Sequence, residues 1–192
     1  MIEILAGKAR GPEYRLFSHW VETAARMRRG WIRSAPTDDP FAYNETASLS
    51  FLACAAGRAG FVALADYCTP KLHSERGRCD FWLAAERHEW VFEFKQASPY
   101  GTPEQGRSWV ISQWSAAQSA AGQLIGEKGI RSFAGLVVSS YWVDGRRRGR
   151  HDVLVAEFLR ANATFAWKLS PLAPRRPTVF IAFGPPVLPE AG

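Results

Sequence analysis

Two short apolar runs constrain this chain most: Cys79-Asp80-Phe81-Trp82-Leu83-Ala84 and Trp90-Val91-Phe92-Glu93-Phe94-Lys95, joined by the polar stretch Ala85-Glu86-Arg87-His88-Glu89. Aromatic and β-branched residues favour strands, so the segment predicts a β-hairpin. Side chains alternate along a strand. Trp90, Phe92 and Phe94 therefore share one face and Val91, Glu93 and Lys95 the other, while Phe81 and Leu83 oppose Asp80 and Trp82. A symmetric closure sets Asp80 across from Glu93, with Cβ atoms about 4.5–5.5 Å apart. Facing carboxylates in apolar strands suffer both repulsion and desolvation. A bridging divalent cation relieves both, and magnesium suits the pair because it takes hard oxygens and keeps several waters. Lys95 shares the face of Glu93, where it can orient an attacking water and stabilise charge growing on a phosphate. The plainer reading is a solvated hairpin with a lysine–carboxylate ion pair, and the apolar bulk around the charges argues against it.

The rest of the chain reads as helices and strands around this hairpin. Leu16, Trp20, Val21, Ala24, Ala25 and Met27 give residues 12–29 a helical stripe. A second helix spans Tyr43 to Gly57 with Asn44 as its N-cap. Phe61 to Tyr67 reads as a strand ended by Thr69-Pro70. A helix from about Glu104 to Ile125 follows the hairpin, then a strand buried on both faces from Phe133 to Val143. The basic stretch Asp144 to Arg150 reads as a loop and Asp152 to Ala161 as a helix. Strands Thr164–Leu169 and Thr178–Phe183 complete the series. This is an α/β (α+β) arrangement, with a central mixed β-sheet flanked by helices. The chain of 192 residues is expected to form a single domain, 1–192, since domains commonly run to about 100–200 residues.

Hydrophobic residues make up 47% of the chain, enough for a sizeable core without disulfides. Cys54, Cys68 and Cys79 are odd in number and show no CxxC pairing, which argues against a secreted disulfide framework and against a structural zinc site. No run nears the roughly 18 apolar residues of a membrane span. The start MIEILAGKARGPEYRLF has no signal-peptide core, so a cytoplasmic protein is expected. The net charge is +6, with arginines clustered at 26–29, at 146–150 and at 175–176. Such a balance favours a polyanionic partner, nucleic acid first. GC-rich codon usage accounts for it equally well.

Asp80, twelve residues, then Glu93-Phe94-Lys95 resembles the D…(D/E)xK signature of the PD-(D/E)XK nuclease superfamily, the restriction-endonuclease-like fold. Residues 43–143 follow the family order of a helix, three meandering strands, a helix and a strand, with 151–183 as a C-terminal addition. Arg78-Cys79 stands where a Pro often precedes the Asp. The resemblance implies a metal-dependent nuclease acting on phosphodiester bonds, with DNA favoured. Asp80 and Glu93 would hold Mg²⁺ or Mn²⁺, and Lys95 would be the catalytic lysine. Many members carry a Glu on the helix before the first strand; Glu45 matches and is a third candidate ligand, though a Glu in a first helical turn also suits the helix dipole. Gln113 and Gln118 stand where some branches place a Gln. The alternatives are an inactive nucleic-acid-binding or interaction module on the same fold, or a toxin, defence or mobile-element nuclease working with a partner. Cutting both strands of a duplex would make a homodimer useful.

Lys71, Arg76, Arg78 and Arg107, with the 146–150 stretch, are candidates for phosphate contacts, which position a nucleic acid without reading it. Trp109, Trp114 and Trp142 could stack on unpaired bases, but core packing is the stronger reading. The four histidines lack metal-ligand spacing and read as surface or capping residues. Asp66 and Glu75 read as solvated loop charges. Gln96 points away from Lys95, and its role is open.

Overall fold

A computed structural model of the chain describes residues 1–7, 11–35, 38–71, 74–124, 130–140, 145–173 and 176–185, with the backbone alone at 68–71, 74–77 and 145. In order the elements are β1 (Ile2–Ala6), α1 (Pro12–Ser34), a 3-10 turn (Pro40–Ala42), α2 (Glu45–Arg58), β2 (Val62–Lys71), β3 (Ser74–Ala85), β4 (His88–Ala97), α3 (Pro103–Ala121), β5 (Arg131–Ser140), α4 (Gly145–Asn162), β6 (Phe165–Leu169) and β7 (Thr178–Phe183). The strands form a seven-stranded sheet in the order β1-β6-β7-β5-β4-β3-β2. It is a mixed sheet: β4 and β5 are parallel, joined through α3, and the other neighbours are antiparallel. None of the described helices is long and apolar enough to cross a membrane.

Strand alternation sorts the core into two layers. Phe81, Leu83, Trp90, Phe92, Phe94, Ile181 and Phe183 pack with α1 and α2, whereas Ala97, Leu136, Val138, Phe180 and Ala182 pack with α3 and α4. In the first layer Trp20 of α1 stacks on Phe81 at 5.3 Å and on Phe183 at 5.7 Å between ring centroids. Its indole Nε1 donates to the Leu52 carbonyl at 2.8 Å, which satisfies the one polar atom of a fully buried ring. Gly135 of β5 stands beside Phe94 in the parallel register. A Cβ there would lie 2.5 Å from the Phe94 ring. Gly135→Ala is therefore expected to destabilise the fold by about 1–3 kcal/mol through overpacking, read as a lower urea midpoint.

The structure departs from the sequence reading in five places. The N-terminal apolar residues form a strand, β1, which pairs with β6. β2 continues past Thr69-Pro70 to Lys71; an edge strand tolerates a proline because its outer side needs no ladder bond. The expected five-residue hairpin turn is tighter, since Ala85 pairs with His88 and only Glu86 and Arg87 turn. Arg146–Arg150 is not a loop but the start of α4, since arginine propagates helices well and Arg150 pairs with Glu104 of α3. The fifth departure is His151, neither a surface nor a capping residue.

His151 has no exposed surface. Its Nδ1 lies 2.8 Å from the Ser140 hydroxyl, and its ring fills the space a Cβ on Gly106 would need. Burial pushes its pKa below the ordinary value, against a smaller opposing pull from Asp152 and a hydrogen bond to the Gly106 backbone. Below about pH 6.5 the unfolded chain takes up a proton that the folded chain refuses. Stability should therefore be flat above that pH as far as this group is concerned. It should fall as pH drops towards the depressed native value, by up to about 1.4 kcal/mol per pH unit. Urea midpoints at pH 7.5 and 5.5 measure the slope, and His151→Gln should flatten it.

Candidate active site

The hairpin of β3 and β4 closes through Glu86 and Arg87, both left-handed with φ of 49° and 67°, the pairing twist that suits a two-residue turn. From there the ladder runs to Phe81↔Phe92 and stops. Continued one step, the register would set Asp80 opposite Glu93, the juxtaposition expected from the sequence, but the ladder ends before that pair. There β3 parts from β4. Phe81 packs towards α1 and α2, yet Cys79, two residues away, packs with Val91 and Leu124 on the other face. The alternation thus reverses at Asp80. Its neighbour on β2, Asp66, carries a φ of 56°, rare for a non-glycine residue. Pairing of β2 with β3 is kept on both sides of this point, Ala65↔Phe81 and Tyr67↔Cys79. The two-stranded ribbon bends as one piece and leaves a fork beside β4.

Asp80 sits in that fork. Its Oδ2 accepts the Phe94 backbone N–H at 2.8 Å, a donor that β3 no longer pairs. Lys95 Nζ stands 3.8 Å from the same oxygen and 3.5 Å from Glu45 Oε1, and it donates to the Phe94 carbonyl at 2.8 Å. Glu45 is the first residue of α2, directly after Asn44, whose side chain accepts the Ala47 N–H at 2.8 Å as the expected N-cap. Its other oxygen, Oε2, accepts the Gln96 backbone N–H at 3.0 Å. Glu93 is 4% exposed, inside the sheet, whereas Asp80, Lys95 and Glu45 each keep about a third of their side-chain surface.

Gln96 acquires a role the sequence left open. Its Nε2 donates to the Phe41 carbonyl at 3.2 Å and its Oε1 accepts the Ser48 hydroxyl at 2.8 Å. The 3-10 turn and α2 are thereby fastened to β4 one residue beyond Lys95, and Glu45 is held beside the lysine. An amide among aromatic neighbours on an inward strand face was the available signal.

The electrostatics exclude one nucleophile. Burial, then the nearby Glu93 carboxylate, pushes the Cys79 thiol up to about 12. It stays protonated at neutral pH and is no nucleophile there.

The donors fit a hard divalent cation in part. Asp80 and Glu93 offer carboxylate oxygens, and magnesium binds well through two carboxylates plus waters. Glu45 is engaged with Lys95 and with the Gln96 amide. Among the described residues no group of three or more His, Cys, Asp or Glu side chains is arranged to hold a metal. A cation would thus be held by the Asp80–Glu93 pair, with Glu45 positioning the lysine.

The other candidates lie further out. Arg78 is an exposed partner of Asp66, 2.8 Å away on the bent ribbon. Lys71 and Arg76 lie on the same ribbon, and their side chains fall outside the described residues, as does that of Glu75. Arg107 is exposed and Gln113 half-buried on α3, Gln118 is exposed, and Trp114 is core. Trp142 falls outside the described residues. No protein-family model, curated protein or solved structure matches this chain.

Proposed function

We propose that this protein is a divalent-metal-dependent nuclease that hydrolyses phosphodiester bonds, with DNA as the favoured substrate. The observation that carries the reading is the fork: Asp80 and Glu45 converge on Lys95 where β3 parts from β4, with buried Glu93 two residues before the lysine on β4. The order of helix, meander, helix and strand around it accords with the PD-(D/E)XK resemblance of the sequence. Asp80 and Glu93 would hold the cation, and the cation, when bound, supplies charge neutralisation at the phosphate and activation of water. Lys95 presents its ammonium on the open side of the fork, within reach of a phosphate oxygen or an attacking water. The Phe94 carbonyl and Glu45 orient that ammonium, so little reorganisation is needed when negative charge develops. The bent ribbon of β2 and β3 opens one side of the site for the substrate strand.

A second reading is favoured by one observation. Lys95 pairs with both Glu45 and Asp80, an ion-pair arrangement that an inactive nucleic-acid-binding module could keep without a metal. Cleavage of supercoiled plasmid and of single-stranded DNA with Mg²⁺ or Mn²⁺, compared with Glu93→Ala, separates the two. Metal-dependent nicking lost in the variant supports the nuclease. A folded protein that binds DNA and cuts none of it supports the module.

A further inference from the structure

Most of the aromatic residues are buried; among the exposed ones Tyr100 pairs with Trp109, and Tyr67 stacks on half-buried Trp82. Beyond Lys95, the chain turns at Pro99, Tyr100 and Gly101 into α3. Tyr100 is 71% exposed and Trp109 is 40% exposed, with ring centroids 6.5 Å apart. The presentation of Tyr100 is built rather than loose. Gly101 takes a left-handed φ of 77°, Thr102 and Gln105 form a reciprocal capping box, and Pro99 packs where a Cβ on Gly106 would sit. Trp109 lies about 200° around α3 from Ile111, which packs into the cluster shared with α4. It therefore stands on the flank of α3 turned away from that helix. On the other side of the fork, Trp82 follows Asp80 by two residues. Its ring stacks on exposed Tyr67, 5.8 Å between centroids and 28° between planes.

Five residues span at most about 17 Å, which bounds the separation of Tyr100 from Lys95 along the chain. Exposed large aromatics held in order close to a charged cleft mark an interaction surface. Exposed flat rings suit unpaired bases, because every base has a π-face and stacks without regard to sequence. Paired bases inside a duplex offer no such face. The overall charge of +6 supplies the attraction for the phosphate chain.

We propose that Tyr100 with Trp109, and Tyr67 with Trp82, are stacking platforms on either side of the scissile phosphate, so that the substrate is single-stranded or unpaired nucleic acid. This rests on the nuclease reading but is testable without cleavage. In EDTA, anisotropy with a labelled oligo(dT) of about 20 nucleotides, and with a duplex of equal length, compares wild type, Tyr100→Ala/Trp109→Ala and Trp109→Phe. The platform requires that wild type prefer the single strand with quenching of tryptophan fluorescence. The double variant should lose about tenfold or more of that affinity with its melting temperature kept, and Trp109→Phe should retain most of it. Unchanged oligo(dT) affinity in the double variant, or preference of wild type for the duplex, overturns the inference and leaves the nuclease standing. Failure of wild type to bind either nucleic acid also overturns the inference, and the nuclease reading is then decided by the plasmid assay with Mg²⁺.

Discussion

Lys95→Ala is expected to slow metal-dependent cleavage at least about a hundredfold, the usual consequence of deleting one preorganised charge or donor at a developing negative centre. Asp80→Ala should do the same for a different reason, and the two can be told apart. The lysine is held by Glu45 at 3.5 Å, by Asp80 at 3.8 Å and by the Phe94 carbonyl at 2.8 Å. Removing it leaves the Asp80–Glu93 pair in place. Magnesium-dependent stabilisation of the fold, measured as a rise in melting temperature with added MgCl₂, should survive in Lys95→Ala. It should disappear in Asp80→Ala. A Lys95→Ala protein that cuts at the wild-type rate would remove the lysine from the chemistry, and an Asp80→Ala protein that retains the magnesium shift would remove Asp80 from the metal.

Asp39→Ala is expected to destabilise the fold by about 3–5 kcal/mol, since it strands a buried guanidinium. Arg28 and Asp39 are both about 1% exposed. Arg28 Nε and Nη2 grip the Asp39 carboxylate at 2.7–3.2 Å, while Nη2 also donates to the Pro177 carbonyl at 2.7 Å and Nη1 to that of Ser170 at 3.3 Å. The pair joins α1, the 3-10 turn and the segment before β7. In the variant Arg28 would keep its charge and lose its counter-ion, and water cannot reach it without opening the fold. A urea midpoint that barely moves would mean that the guanidinium finds another partner. Arg28→Met/Asp39→Ala, which deletes both charges, should recover part of the loss.

Those two residues also show where the sequence stopped being legible. Arg28 lies in the run Arg26-Met27-Arg28-Arg29, which reads as a solvated or nucleic-acid-facing cluster. Its partners Asp39, Ser170 and Pro177, which only the fold brings together, make it a core residue. His151 was opaque for the same reason, because its enclosure depends on Ser140 and Gly106. Local alternation, by contrast, carried well. The split of Trp90, Phe92 and Phe94 from Val91, Glu93 and Lys95, and the Asn44 cap, follow from period and chemistry alone. The bend at Asp66 and Asp80 does not, since a reversal of alternation leaves no trace in a pattern that presumes regularity. The sequence led to the expectation of Asp80 across from Glu93, but gave no sign of the fork that ends the ladder before them. Glu45 was readable as a neighbour of the site, while its grip on the Gln96 amide rests on a crossing of α2 over β4.

The pairing of β1 with β6 sets a timetable for folding. Ile2 lies against Leu169 and Ile4 against Trp167, so β1 has no partner until β6, far along the chain, has been made. At roughly 5–20 residues per second that wait is on the order of ten to thirty seconds. The meander of β2, β3 and β4, by contrast, draws its partners from one short stretch and can form long before then. Contacts between distant positions form late and slowly. The hairpin bearing Asp80, Glu93 and Lys95 should thus be among the first structures to form, and the closing edge strand β1 among the last.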